Sequence, residues 1–411
     1  METRLAQWIE GSPQGDEADR ILRACVHCGF CLATCPTYQV LGDELDSPRG
    51  RIYQIKQVLE GAEPTRATQI HLDRCLTCRS CETTCPSGVE YGHLVDIGRA
   101  VVDQRVSRPA GERAIHWLLR ECLTRRWVFG SALRMARAFA WALPIALRAK
   151  VGSRRPPGLR PSRRHARKVL LLNGCTQPAM LPSIDAATSR VLDALDVETV
   201  VASRSGCCGA IRHHLDDQDG ALCEARRNID AWWPYVESDS VEAIVINASG
   251  CASQVRQYGH LLRHDSAYAQ KAQRIVDLTR DPVEFLSGSL TALKTRSKPR
   301  NSPRVAFHAP CTLQHGLKIR GEVERLLTEL GAELVPVAES HLCCGSAGTY
   351  SLLQIGISTA LRERKLEHLL SRSPQVILSA NIGCIAHLQA GTPTPVRHWI
   401  EWIDEALNTG P

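Results

Sequence analysis

Cys25-Val-His-Cys28-Gly-Phe-Cys31-Leu-Ala-Thr-Cys35-Pro36 recurs further along the chain as Cys75-Leu-Thr-Cys78-Arg-Ser-Cys81-Glu-Thr-Thr-Cys85-Pro86. Both runs read C-x2-C-x2-C-x3-C-P. Three cysteines at two-residue gaps let a tight loop wrap three irons, while the fourth points away and the proline turns the chain. The spacing predicts thiolate ligation of two 4Fe–4S clusters. Zinc sites use two CxxC pairs for four tetrahedral ligands, and eight cysteines with a proline at both equivalent places fit that poorly.

In bacterial two-cluster ferredoxins the fourth cysteine of each run serves the other cluster. One predicted set is therefore Cys25, Cys28, Cys31 and Cys85, and the other is Cys75, Cys78, Cys81 and Cys35. Crossed ligation makes the pair one cooperative unit held at short range, suited to single electrons. The segment between Cys35 and Cys75 includes a predicted helix, Arg49 to Leu59. That is more than a minimal ferredoxin carries and points to the helical variety found in respiratory iron–sulfur subunits.

The chain has 411 residues, 18 of them cysteine, with 44% hydrophobic and 23% charged residues. That length can bury real cores, so the cysteines are not needed as small-scaffold staples. The N-terminus shows no basic start followed by an apolar run, so no secretory signal is expected. Thiols kept from export stay reduced, which favours metal ligation over a disulfide framework. The longest apolar stretch, Ala138 to Leu147, is about half a bilayer span and is broken by Pro144. The net charge is +7, and nine Lys or Arg with no Asp or Glu fall between Arg148 and Lys168. Pro156, Pro157 and Pro161 interrupt that stretch, which reads as an extended basic linker between domains.

After the linker the sequence repeats. Lys168-Val-Leu-Leu-Leu-Asn-Gly-Cys175-Thr matches Arg304-Val-Ala-Phe-His-Ala-Pro-Cys311-Thr, Cys207-Cys208-Gly209 matches Cys343-Cys344-Gly345, and Cys251 matches Cys384. Each unit alternates predicted strands (Val169–Leu172, Val197–Val201, Ala243–Ile246; Val305–Phe307, Glu333–Val337, Val376–Leu378) with helices (Ser183–Leu195, Gly220–Val236; Gly321–Leu330, Ile355–Leu370). That alternation predicts a parallel α/β unit made twice. The cysteines fall where strands give way to loops, the usual place for sites in open α/β sheets. Adjacent cysteines cannot face one way from a strand, so each pair is expected on a turn that the following glycine permits. Cys251 and Cys384 are likewise expected on loops, and Thr279 to Ser302 as the link between units. Cys122 and Cys223 match no pattern and read as core cysteines.

A double-cluster head followed by two Cys-Cys-Gly units resembles the iron–sulfur subunits of glycolate oxidase, anaerobic glycerol-3-phosphate dehydrogenase and heterodisulfide reductase. Ala309-Pro-Cys-Thr-Leu-Gln-His-Gly316, His341-Leu-Cys-Cys-Gly-Ser-Ala-Gly-Thr-Tyr350 and Cys25 through Tyr38 look most like the glycolate oxidase subunit. The resemblance covers nearly the whole chain. It implies an α+β multidomain protein: a helical two-cluster ferredoxin head (1–107), an amphipathic helical segment and basic linker (108–167), and two α/β Cys-Cys-Gly domains (168–292 and 303–411). It implies electron transfer beside FAD-containing subunits that oxidise glycolate to glyoxylate, with a quinone or other acceptor. The glycerol-3-phosphate or lactate dehydrogenase subunit is the alternative. In heterodisulfide reductase the Cys-Cys-Gly domain ends in CxxC and holds a four-iron cluster with five cysteines. Here Ala248 and Asn381 replace the first cysteine of that pair, so the five-cysteine set is incomplete in both units. Cys175, Cys207, Cys208 and Cys251, and Cys311, Cys343, Cys344 and Cys384, are left with two uses: one or two further clusters, or redox or docking sites.

No G-x-G-x-x-G follows a strand and there is no P-loop, so neither FAD nor NAD is expected on this chain. A nucleic-acid role for the basic linker is disfavoured, since repair enzymes carry one structural cluster and this chain offers two crossed ones. Residues 112–150 interleave Trp117, Trp127, Phe129, Phe139 and Trp141 with Arg113, Arg120, Arg125, Arg126, Arg134 and Arg137. Two readings compete: an interfacial helix on an anionic membrane, or a core helix packing the head against the repeat. The expected location is cytoplasmic, peripheral on the inner membrane. His308 and His315 flank Cys311 as candidate proton relays or structural residues.

Overall fold

Serine and proline open the two long helices that frame the head. Ser12 and Ser47 accept from the backbone N–H three residues on, and Pro13 and Pro48 occupy the first helical position of Pro13–Ala24 and Pro48–Leu59. Proline there has no N–H to waste and a preset φ. The computed structural model describes residues 1–142, 156–297 and 303–408. Of the basic linker, Arg148, Lys150, Arg154 and Arg155 lie outside the described residues, as does the apolar stretch beyond Ala142.

The helices Pro13–Ala24, Pro48–Leu59, Arg66–Asp73 and Tyr91–Arg105 meet around Ile21, Leu22, Ile55, Leu59, Leu72 and Leu94, all buried. Helices Pro48–Leu59 and Tyr91–Arg105 approach closely because Gly98 has no side chain: a Cβ there would stand 2.6 Å from Ile55. The two cysteine loops occupy the ends of this small core. Two further helices, Ala110–Thr124 and Arg126–Ala138, form a hairpin beside the first repeat unit. The core-helix reading holds for one side only: Glu112 pairs with Arg66 of the head and Glu121 with Arg212 of the first unit. Trp117, Trp127, Met135, Phe139 and Trp141 are exposed, and Leu133 is buried. One side of the hairpin lies on the first unit, and its large aromatic side chains are exposed.

Each repeat unit is a four-stranded, all-parallel sheet. The first comprises β1 (Arg167–Leu171), β2 (Val197–Val200), β3 (Ala243–Val245) and β4 (Thr279–Arg280), in the order β2-β1-β3-β4. The second comprises β5 (Arg304–His308), β6 (Glu333–Val335), β7 (Val376–Ser379) and β8 (Val396–His398), in the matching order β6-β5-β7-β8. The central strands β3 and β7 are buried on both faces, which is why their sequences are continuous apolar runs. The edge strands β4 and β8 carry no such run and escaped the sequence reading.

The segment expected to link the units begins as structure. Thr279–Arg280 is β4, helices Pro282–Leu286 and Leu290–Arg296 follow, and Val283, Leu286 and Leu293 are fully buried. The last helix runs across residue 292. The two units share one core, with helix Pro182–Asp193 against helix Trp399–Asn408. Arg190 closes that seam on Asp404 at 2.6 Å. Arg108 ties the head to the first unit by pairing with Asp73, Asp103 and Asp216.

Candidate metal centres

The two cysteine loops of the head share a backbone pattern. His27 and Gly29 have φ of 55° and 85°, and Thr77 and Arg79, at the matching places, have φ of 50° and 59°. Left-handed residues alternating with right-handed ones turn successive N–H groups toward the loop interior, which suits an anion. Non-glycine residues take that conformation at a cost of roughly 1–2 kcal/mol, so His27, Thr77 and Arg79 mark demanding sites.

Cys25, Cys28, Cys31 and Cys85 line one cavity. Cys35, Cys75, Cys78 and Cys81 line a second. Cys81, Pro48 and Tyr91 border both, so the cavities share a wall. Each cavity thus gathers three cysteines of one run and the last of the other, with Cys81 lining the first as well. Burial, together with neighbouring thiols, pushes the Cys78 and Cys81 thiols well above the ordinary range. Such thiols ionise when a metal takes them.

The second cavity is surrounded by groups that favour negative charge. Arg51 is 1% exposed. It donates to the His71 carbonyl at 2.7 Å, to Thr37 Oγ1 at 3.1 Å and to Asp46 at 3.1 Å. Burial works against its charge, and Tyr91, Cys75, Cys35 and Asp46 more than offset it. Arg99 is also buried and donates to the carbonyls of Leu72 and Cys75. Cys75 Sγ accepts from the Thr77 N–H at 3.4 Å and from the Tyr91 hydroxyl at 3.7 Å. The cysteine linings of both cavities, with buried guanidinium groups beside the second, fit an anionic iron–sulfur cluster in each.

In the repeat the Cys-Cys-Gly turns form as expected, with φ of 89° at Gly209 and 85° at Gly345. Their N–H groups donate to Cys207 Sγ and Cys343 Sγ, each at 3.4 Å. The four thiols of a unit touch in a row: Cys175, Cys207, Cys208, Cys251 in the first, and Cys311, Cys343, Cys344, Cys384 in the second. Cys311 and Cys343 stand 3.7 Å apart. Hydrogen bonds from Cys175 and Cys208 hold the Cys207 thiol well below its usual range, against the effect of burial.

Cys251 and Cys384 are not on loops. They sit in the first turns of helices Ser249–Val255 and Ile382–Gln389, because each helix begins almost at once after its strand. The replaced positions differ between units: Asn381 donates its amide to Cys384 Sγ at 3.7 Å, whereas Ala248 is buried and apolar. Cys223 is exposed on helix Gln218–Glu237 and Cys122 is half-buried, so the core reading fails for Cys223.

The units meet the head differently. Around Cys78, the side chains of Leu76, Cys311, Cys343, Tyr350 and Leu361 form one apolar cluster. The second unit's thiols therefore abut the second cavity. His315 bridges the same junction. Its Nδ1 pairs with Thr83 Oγ1 at 2.9 Å, and its Nε2 pairs with the His341 carbonyl at 2.9 Å. With both ring nitrogens committed, His315 is a tie between domains. The first unit meets the head through His93, which bonds Gln257 at 2.9 Å and stacks on His260 with ring centroids 3.9 Å apart. Sequence reasoning missed Arg51, Arg99, Tyr91 and Tyr350. Arg51 sits inside a predicted helix and Tyr350 inside a quoted motif, yet nothing local distinguishes them from surface residues.

Thiol-lined cavities sharing a wall serve electrons, which pass between close redox centres. The chain is an iron–sulfur electron-transfer protein, and the comparisons agree. Residues 21–89 match the 4Fe-4S dicluster domain, and residues 169–256 and 305–389 each match the Cysteine-rich domain. The glycolate oxidase iron-sulfur subunit of Escherichia coli (strain K12) is 50% identical, covering 99% of each chain. The probable glycolate oxidase iron-sulfur subunit of Bacillus subtilis (strain 168) is 29% identical over 89% of this chain and 88% of its own. Lactate utilization protein A of an Exiguobacterium species is 25% identical over 59% of this chain and 97% of its own. The chain belongs to the family of glycolate oxidase iron–sulfur subunits and carries 4Fe–4S clusters. Among the described residues no helix is long and apolar enough to cross a membrane.

Proposed function

We propose that this chain takes electrons from FAD on partner subunits that oxidise glycolate to glyoxylate, and delivers them to a quinone or comparable acceptor. The observation that carries the reading is the pair of cysteine-lined cavities sharing Cys81 and Tyr91 in one head. When bound, the clusters supply one-electron steps between a two-electron flavin and the acceptor. Cys25, Cys28, Cys31 and Cys85 hold one cluster, and Cys75, Cys78, Cys81 and Cys35 the other. Arg51 and Arg99 offset negative charge at the second. Hydrogen bonds from Tyr91 and Thr77 to Cys75 stabilise its thiolate. The hydroxy acid and its flavin belong to other chains, and this one acts as a head (1–107), a helical segment and linker (108–167) and two Cys-Cys-Gly domains (168–292 and 303–411).

The exposed hairpin supports a peripheral position on the cytoplasmic face of the membrane. Trp117, Trp127, Phe139 and Trp141 are exposed beside exposed Arg113, Arg125, Arg126 and Arg134, the pairing that suits an anionic lipid surface. Reconstitution with the flavin subunits tests the function. Anaerobic glycolate should bleach the cluster absorbance, and lactate or glycerol 3-phosphate should do so far more slowly. Faster bleaching by either of those compounds would transfer the reading to that substrate.

A further inference from the structure

The second Cys-Cys-Gly unit carries a buried imidazole that the first lacks. His308 ends β5, and the repeat places Leu172 at the matching position. His308 is 2% exposed, and its Nε2 has no hydrogen-bond partner. An unsatisfied polar atom at that depth is costly, and Leu172 shows that the fold accepts an apolar side chain there. A ring nitrogen of His308 and the Sγ atoms of Cys344 and Cys384 all lie within 4.8 Å of one another. Nitrogen and sulfur ligands bind tetrahedral metals at about 2.0–2.3 Å, which sets such ligands roughly 3.5 Å apart. Small adjustments would therefore let the three atoms share a metal. Cys343 and Cys311 continue the row of thiols from Cys344. The Lys365 ammonium, 2% exposed and bonded to the Glu339 carbonyl, adds positive charge beside these thiols.

We propose that His308 is an imidazole ligand of an iron–sulfur centre in the second unit, completing the set of Cys311, Cys343, Cys344 and Cys384. The first unit, with Leu172 in that place, has thiols only. The proposal rests on the reading of the chain as an iron–sulfur electron carrier and goes beyond it by assigning a third centre. A neutral imidazole as the fifth ligand adds no negative charge, so the centre titrates at a higher potential than it would with a fifth thiolate there. The second unit lies directly against Cys78, so a centre there is placed to draw electrons out of the head.

The test uses the full chain, purified anaerobically, with natural-abundance or 15N-labelled histidine. The measurements are iron per chain and pulsed EPR of the reduced protein. The expected result is iron clearly beyond the roughly eight of two head clusters, and one signal whose nitrogen coupling changes on 15N-histidine labelling. His308→Leu should lose that coupling and the additional iron while the head signals persist. His308→Cys should keep the iron, lose the coupling and titrate at a lower potential. No iron beyond the head, no histidine coupling in the wild-type chain, or coupling that survives His308→Leu would overturn the assignment. Loss of the head signals in His308→Leu would mean misfolding, and His308→Cys then decides. A wild-type chain without head signals would instead sink the electron-carrier reading itself.

Discussion

The Tyr350 hydroxyl donates to the carbonyl oxygen of Arg74 at 2.9 Å, fastening the second Cys-Cys-Gly unit to the residue that immediately precedes Cys75. Tyr350 also packs with Leu76, Cys311 and Cys343, so one side chain touches the ligand loop of the head and the thiols of the repeat. Tyr350→Phe keeps the packing and removes the donor. The expected cost is about 1 kcal/mol in thermal or denaturant unfolding. Among the cluster signals, only the one assigned to the Cys75 set should shift in a redox-titrated EPR spectrum. An equal shift in both head signals would contradict this coupling.

Arg51 is the second lever. It is locked by Asp46, Thr37 and the His71 carbonyl, and Asp46 is completely buried. Arg51→Met removes one partner of buried Asp46, which keeps Arg74 at 2.9 Å, so the expected loss lies below the roughly 3–5 kcal/mol of a fully broken buried pair. The cluster of the Cys75 set should also become harder to reduce, since a nearby positive charge is gone. Arg51→Lys keeps the charge but cannot reproduce the three-way hydrogen bonding, so it should fall between wild type and Arg51→Met in both readouts. A potential unchanged in Arg51→Met would show that the guanidinium serves packing alone.

The two Cys-Cys-Gly turns should differ in tolerance. Both glycines have positive φ, so alanine is strained at either. A Cβ on Gly209 would meet the Ala221 carbonyl oxygen at 3.0 Å, whereas one on Gly345 would meet the Ser358 carbonyl oxygen at 2.6 Å. Gly345→Ala should therefore lower the unfolding midpoint more than Gly209→Ala. The reverse order would mean that the second turn relaxes more easily than its packing suggests.

Asp281 gives the first unit a pH dependence. It caps helix Pro282–Leu286, accepting from the Val283 N–H at 3.0 Å. Burial, opposed by that hydrogen bond, pushes its carboxyl up to about 7. The unfolded value is about 3.9, so between those limits the folded state binds the proton more tightly. Its contribution to stability is then present at low pH and declines as pH rises from about 4 to about 7. Asp281→Asn keeps an acceptor and removes the charge. Its unfolding temperature should drop less than that of the wild type between pH 5 and pH 8, and an equal drop would contradict the assignment.

The sequence was most informative where local chemistry dictates geometry. The cysteine spacings, the Cys-Cys-Gly turns and the buried central strands β3 and β7 were all legible because each is fixed by reach, φ or a continuous apolar run. Strands β4 and β8 were not, since Thr279–Arg280 and Val396–His398 are too short and polar to carry a period. The Thr279–Ser302 segment reads as a linker for the same reason, although Val283, Leu286 and Leu293 complete the core. The exposed face of the Trp117–Trp141 segment could not be chosen in advance, because amphipathic helices look alike whether the apolar side faces a core or a partner. Arg51, Tyr91 and Tyr350 became visible only when the fold brought them to the cysteines.

Crossed ligation of the head is the claim on which the rest depends, and EPR of single-cysteine variants tests it most directly. In the anaerobic full-length chain, Cys35→Ala should alter the signal that Cys75→Ala and Cys78→Ala alter, and Cys85→Ala should alter the one that Cys25→Ala and Cys28→Ala alter. If Cys35→Ala instead perturbed the Cys25 signal, and Cys85→Ala the Cys75 signal, each run would hold its own cluster and the crossed arrangement would be wrong.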